Sequence, residues 1–199
     1  MAVNRMFTFI ETEAHKLLND GFTGNEFLAP DNATIFGTHT YQSTGTTFDN
    51  SSTTPAGEAA LAELEQYAGA FKDANGLPMP LNLKTLVVKT GSTASTALRK
   101  VLAENSNGNL KLVADTISNV NIYNNGQYTL IETPYLDSDT AWFAHAMNMP
   151  NSFVMNFIEQ PTAQDMIRRE NLDEVYPVSG SFTFGNVYLP QDWYGSTGV

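Results

Sequence analysis

The chain of 199 residues contains no cysteine. Disulfides and thiolate metal sites are therefore excluded, while the compartment stays open. Charge is scarce: Asp, Glu, Lys and Arg make up 16% of the residues, against about a quarter in ordinary domains. Positive charge is scarcer still, with 10 Lys and Arg against 21 Asp and Glu and a formal net charge of -11. Such a surface repels a phosphate backbone and an anionic bilayer, which argues against nucleic-acid binding and membrane docking. No long apolar run occurs and no signal peptide opens the chain. The three histidines, His15, His39 and His145, have no ligand spacing such as H-x-x-x-H. Gly-Lys-Ser/Thr, G-x-G-x-x-G and G-x-S-x-G are all absent, so no phosphate-loop, dinucleotide or nucleophile-elbow motif is present.

What remains is 42% hydrophobic and 11% aromatic, enough for a sizeable core in one compact domain or two small lobes. The surface must be largely neutral and polar, filled by Asn, Thr, Ser and Gly. A surface of this kind suits flat contacts with neighbours, because few charges are desolvated there. Asn32-Ala33-Thr34 and Asn50-Ser51-Ser52 match the glycosylation sequon; without a secretory signal they read as chance.

Val3, Met6, Phe7, Ile10, Ala14, Leu17 and Leu18 recur at three- and four-residue steps, predicting an amphipathic helix over 2–20. Gly21 is expected in the left-handed position after its last turn. The helix starts with no cap ahead of it, as a helix cut into would. Residues 22–53 read as a long loop with two apolar islands, Ala33–Phe36 and Thr38–Tyr41, and a loop that long points to an interaction segment. A second helix is expected over 55–72, capped by Thr54 with Pro55 in the first turn and Leu61, Leu64, Ala68 and Phe71 on one face. A strand at 83–88 then turns at Gly91 and Ser92 into a helix over 93–103. Val120–Tyr123 and Tyr128–Ile131 flank Asn124-Asn125-Gly126, a hairpin signal. Trp142–Ala146, Phe153–Ile158 and Val178–Leu189 read as strands, and Asp165–Asn171 as a short helix or loop. The class is α+β, with no internal repeat.

The densest chemistry lies in Tyr135–Ala146. Asp137 and Asp139, two apart in a loop, suit Mg²⁺ or Ca²⁺, but a calcium loop needs further ligands at set spacing and a closing Glu, and none follows. The simpler reading is a turn whose Asp side chains bond local amides. His145 falls in an alternating stretch after Trp142 and reads as a strand residue. Thr90-Gly91-Ser92-Thr93 lies between a strand and a helix, where phosphates bind. With Lys89 before the glycine, it reads as a capped turn. Glu63, Glu65, Asp173 and Glu174 read as solvated faces. Arg168-Arg169-Glu170 either pairs with a neighbouring subunit or faces water. Phe182, Phe184, Tyr188, Trp193 and Tyr194 read as core and a C-terminal anchor. No catalytic, cofactor-binding or metal-binding residue is assigned, because no constellation meets the requirements of an active site.

The order of these pieces resembles the major capsid (head) protein of tailed bacteriophages, in particular the Mu-type major head subunit branch. The amphipathic helix ends in Leu-Leu-Asn-Asp-Gly-Phe-Thr (17–23). Pro-Asp-Asn-Ala-Thr-Ile-Phe-Gly-Thr-His-Thr-Tyr (30–41) is similar to the family's DG-x-x-LF-x-T-x-H stretch. Leu-Lys-Thr-Leu-Val-Val (83–88) is similar to the strand that precedes an A-x-x-x-L helix, here Ala94–Leu102. Ile-Glu-Thr-Pro-Tyr-Leu (131–136) leads into Asp-Thr-Ala-Trp-Phe (139–143), and Phe182–Trp193 closes the series.

The resemblance implies a fold with a spine helix, a peripheral lobe and an axial lobe. Residues 1–21 would be the end of the spine helix, 22–54 and 151–199 the discontinuous peripheral lobe, and 55–150 mainly the axial lobe. Family members carry an N-terminal arm and an extended loop ahead of the spine helix; this sequence lacks both. The implied protein is no enzyme and needs no cofactor. It assembles as pentamers and hexamers into an icosahedral shell around double-stranded DNA, in a virion built in the bacterial host cytoplasm. Scaffold, portal and decoration proteins would be its partners. Two other readings stand beside it. One is an encapsulin-like or domesticated prophage compartment shell. The other is a small metal-dependent hydrolase using Asp137, Asp139 and His145.

Overall fold

A computed structural model describes residues 2–103, 123, 127–164, 167–168, 174–175, 178–186 and 189–199. The protein is mixed α+β, with three helices and several sheets among these residues. Helix α1 spans Ala2–Asn19. Ile10, Leu17 and Leu18 bury its apolar stripe, whereas Phe7 is 53% exposed although it lies on that stripe. Among the described side chains the stripe is buried at Ile10, Leu17 and Leu18, along the later turns.

Gly21 departs from expectation. Its φ is not positive; the left-handed residue is Gly24, at φ 66°. Gly21 is required for space instead, since a Cβ there would meet the Phe36 ring at 2.5 Å. The helix end is tied off by Asp20. Its carboxylate accepts the Thr23 hydroxyl at 2.6 Å and the amides of Asn25, Glu26 and Phe27 at 2.9, 2.7 and 2.8 Å.

Residues 22–53 are mostly loop, with a small antiparallel pair, β1 (Thr38–Thr40) and β2 (Thr47–Asp49), and the short β3 (Ser51–Ser52). Helix α2 covers Glu58–Ala70 and starts from Gly57 without a side-chain cap. Thr54, expected as that cap, points elsewhere. Its hydroxyl bonds Glu63, while its carbonyl accepts Trp142 Nε1 at 3.0 Å and Ser196 Oγ at 2.7 Å.

β4 (Leu83–Lys89) leads into α3 (Thr93–Ala103), and the chain returns as β5 (Thr129–Thr133), parallel to β4. The first strand and turn of the expected Val120–Ile131 hairpin lie outside the described residues except for Tyr123, and its second strand enters β5. β6 (Trp142–Ala146) pairs antiparallel with β4 on one side and with β11 (Trp193–Ser196) on the other. The central sheet runs in the order β3-β11-β6-β4-β5. It draws strands from both sides of the expected lobe boundaries at 54/55 and 150/151.

Alternation along its strands feeds two cores. Leu86, Val88, Trp142, Ala144 and Tyr194 face α2 and α3 with Leu61, Leu64 and Leu98. Val87, Phe143 and Trp193 face the α1 side with Leu17, Leu18, Ile35 and Phe36. A sheet buried on both faces reads as continuous apolar runs, which Leu-Val-Val and Trp-Phe-Ala are.

The remaining strands stand apart. β7 (Phe153–Ala163) and β10 (Val178–Asn186) pair only with each other among the described residues, as a long two-stranded ribbon. Between them β8 (Ile167–Arg168) pairs with β9 (Glu174–Val175). The described part of Asp165–Asn171 is therefore strand, not helix. α1 packs against the ribbon, and Phe9 meets Phe182 with ring centroids 6.0 Å apart.

Candidate functional site

Lys89 decides the role of the Asp137–Asp139 turn. Its Nζ lies 2.8 Å from Asp139 and donates to the Asp137 carbonyl at 3.0 Å. The Asp139 carbonyl in turn accepts the Ala94 amide at 3.1 Å, in the first turn of α3. The turn thus ties β6 to the end of β4 and the start of α3. His145 sits opposite Thr85 in the register, four residues back along β4 from Lys89, or about 13 Å. The three residues of the hydrolase reading are not brought together. Among the described residues no group of three or more His, Asp or Glu is placed to hold a metal ion.

The Thr90–Thr93 turn is occupied by its own chain. Gly91 takes φ 70°, Ser92 Oγ accepts the Ser95 amide at 3.0 Å, and Ser92 O accepts the Thr96 amide at 3.0 Å. With the Ala94 amide on Asp139, the amides of Ala94, Ser95 and Thr96 in the first turn of α3 are satisfied inside the protein. Ser92 and Ser95 are buried, and Ser95 Oγ donates to Glu132 at 2.6 Å.

Glu63 is not a solvated face. Burial works to raise its pKa, and the hydroxyls of Thr54, Ser52 and Tyr194 outweigh that and hold it below the ordinary value. Glu65 remains exposed and accepts the Tyr128 hydroxyl at 3.0 Å. Of Arg168–Glu170 and Asp173–Glu174, only Arg168 and Glu174 are described, as β8–β9 partners.

The structure assembles polar groups that sequence spacing did not reveal. Asp192 is fully buried and sits between Ser152 and His145. Its Oδ1 accepts the Ser152 hydroxyl, its Oδ2 accepts the Ser152 amide at 2.8 Å, and His145 Nε2 lies 3.5 Å from Oδ2 without hydrogen-bond alignment. Ser, His and Asp are present, but in the wrong order for nucleophilic catalysis. An activated serine gives its proton to an imidazole that the carboxylate orients; here the carboxylate stands in the middle. Ser152 is also buried.

A second buried group surrounds Asn50. Its Nδ2 faces the carbonyls of Ile35, Pro190 and Trp193 at 3.1, 3.0 and 3.2 Å, and its Oδ1 accepts the Gly37 amide at 2.9 Å. The amide of this sequon is fully engaged. Nearby, His39 is fully buried, with Nε2 at 3.0 Å from the Ile35 carbonyl and Nδ1 at 3.2 Å from Asp31. His15 meets Thr133 Oγ1 at 3.1 Å, and its ring lies tilted against Tyr135 with centroids 5.3 Å apart.

Among the described residues the ribbon is a long exposed feature. Ile158 is 69% exposed, with Met155 and Val154 near 40%. β7 carries a single charged residue, Glu159, and β10 carries none. An apolar groove of about 240 Å³ opens between the ribbon and α1, lined by Ile10, Leu17, Phe153, Met155 and Phe184.

No protein-family model matches the chain, and no curated protein matches it.

Among the described residues no helix is long and apolar enough to cross a membrane. The buried groups could not have been found from the sequence, because Asp192 lies 40 positions from Ser152 and Asn50 lies 143 from Trp193. The ribbon did leave a signal: two runs of strand-forming residues almost free of charge.

Proposed function

We propose that the chain is a structural subunit that works by contact between copies, of the tailed-phage head type, and that it carries no catalysis. The observation that carries this reading is the ribbon. A two-stranded sheet is marginally stable alone in water. Free edges on soluble proteins are usually blunted by Lys, Pro or inward-pointing charge. Here the long strands hold one charge and Pro161, and they present Ile158 and Val154 outward while Met155 lines the open groove beside α1. Repeated weak contacts over such surfaces are what rings of five and six need.

The resemblance in the order of motifs supports the same reading. It implies that α1 would be the end of a spine helix and that the product would be a phage head around double-stranded DNA. A cellular compartment shell would use the same surface and is separated from it by the neighbouring genes. Light scattering and negative-stain microscopy of the purified chain test the reading. Concentration-dependent oligomers are expected, growing with added salt as the net charge of -11 is screened. A monomer at every concentration and salt refutes it.

A further inference from the structure

We infer that the outward face of the ribbon pairs with the same face of a second copy, about a twofold axis beside Asn156 and Thr183. This rests on the self-assembly reading and names its contact. Asn156 and Thr183 are directly opposed across the ribbon and both exposed, whereas the next pair, Phe157 and Phe182, is half-buried on the α1 side. Two residues from Asn156 in one direction stands Ile158, skipped in the register between the Phe157–Phe182 and Glu159–Ser181 pairs. Bulges re-aim side chains, and Ile158 is 69% exposed. Two residues away in the other direction Val154 opposes Gly185, where a Cβ would meet nothing within 4 Å. The face therefore holds a knob and an open slot, each about 7 Å from the Asn156–Thr183 pair. A twofold axis there places each Ile158 over the other copy's Gly185. It also lets the two Asn156 amides exchange hydrogen bonds.

Charge selects the occupant. Chains of net charge -11 repel one another, so two copies meet best where charge is lacking, and this face offers only Glu159 at its margin. A basic partner or an anionic polymer finds almost nothing to pair with. An axis beside Asn156 overlaps the two ribbons over about seven residues, about 23 Å by about 10 Å, which gives about 230 Å² per copy and about 450 Å² in total. That is less than half a standard interface of about 1,600 Å². The pair is weak alone and holds where many copies act together.

The absence of cysteine makes the test clean. Asn156→Cys places one thiol on the proposed axis and should give a disulfide-linked dimer under mild oxidation, about tenfold or more faster than Leu77→Cys; Leu77 is 61% exposed in a distant turn. In the double variant Ile158→Cys/Gly185→Cys, the two positions on one chain are about 13 Å apart, too far for an internal bridge. Its disulfide should form only between chains. Linkage no faster than at Leu77, in a chain whose wild type oligomerises by light scattering, overturns the pairing and leaves the assembly reading intact. Fast linkage at Asn156 in a chain that forms dimers and nothing larger supports the pairing and removes the shell.

Discussion

Replacing Asn50 by Ala should be among the most damaging single changes to the core. Three carbonyls and one amide converge on this side chain, which is wholly shielded from water. The four groups do not lose equally. The Ile35 carbonyl keeps His39 Nε2, and the Pro190 carbonyl keeps the Trp193 amide at 3.1 Å. The Gly37 amide loses the acceptor it has, at about 2 kcal/mol for a buried orphan, and the Trp193 carbonyl loses a donor at about 1. The vacated space adds about 1 more. The sum is about 4 kcal/mol, out of a total stability of order 5–15. Urea unfolding followed by the fluorescence of buried Trp142 and Trp193 should show the midpoint falling by about 2 M at an m-value near 2 kcal/mol/M.

Asn50→Asp sharpens the test. The carboxylate keeps the shape and the Gly37 contact but puts an oxygen where Nδ2 faced three carbonyls, so burial and repulsion raise its folded pKa above the unfolded value near 3.9. A raised acid is stable in its protonated form, so stability is retained below that pH and lost as pH rises. Asn50→Asp should therefore be markedly weaker at pH 7 than at pH 4 relative to wild type. A midpoint within about 0.5 M of wild type for Asn50→Ala, or a pH-independent effect for Asn50→Asp, refutes the reasoning.

Tyr67 gives the opposite sign. Its hydroxyl is buried without a hydrogen-bond partner among the described residues, and its pKa is pushed well up, first by burial. Tyr67→Phe should match or exceed wild-type stability in the same urea assay, and a loss above about 1 kcal/mol would contradict it. Asp20 is held down to about 2: burial works against this, but the Thr23 hydroxyl and the amides of Phe27, Glu26 and Asn25 prevail. Its folded pKa is lowered, so its contribution is complete above the ordinary 3.8 and is lost as pH falls toward 2. The midpoint gap between wild type and Asp20→Asn should hold steady from pH 5 to 8 and shrink below pH 4; a gap that instead grows on acidification counts against this. Titration calorimetry with Mg²⁺, Ca²⁺ and Zn²⁺ should show no stoichiometric heat, because Lys89 already neutralises Asp139; heat abolished by Asp139→Asn would revive the hydrolase reading.

Local periodicity made α1, β4, α3 and β6 legible, since each has a pattern that burial then uses. Cap chemistry was less readable. Thr54 has the residue type of an N-cap, yet Trp142 and Ser196 compete for its carbonyl and Glu63 for its hydroxyl, so α2 starts at Gly57 instead. Gly21 looked like a helix stop and is in fact a clearance for Phe36. In both cases long-range packing overrode a local preference. Separation in the fold, rather than in the sequence, also dissolved the Asp137–Asp139–His145 grouping: β6 carries His145 away from the turn at the strand spacing. The ribbon's strands were legible as strands, but their isolation from the central sheet was not, because apolar alternation does not say which neighbour a strand will pair with.

The Ser152–Asp192–His145 group gains a meaning once the ribbon is seen as a lever. Ser152 is the last residue before β7, and Asp192 directly precedes β11 of the central sheet. Asp192 holds the Ser152 amide and hydroxyl while its own carbonyl accepts the Ala146 amide at 2.7 Å. Beside it, Trp193 stacks on Phe153 with centroids 4.8 Å apart and donates through Nε1 to Asn151 at 3.2 Å. These contacts fasten the root of a ribbon about 36 Å long. A small rotation at the root swings its far end by several ångströms, so the direction of the ribbon is set by a few buried bonds at one end. A buried carboxylate is costly where it only stabilises. At a hinge it fixes one orientation, which a contact repeated between identical copies requires.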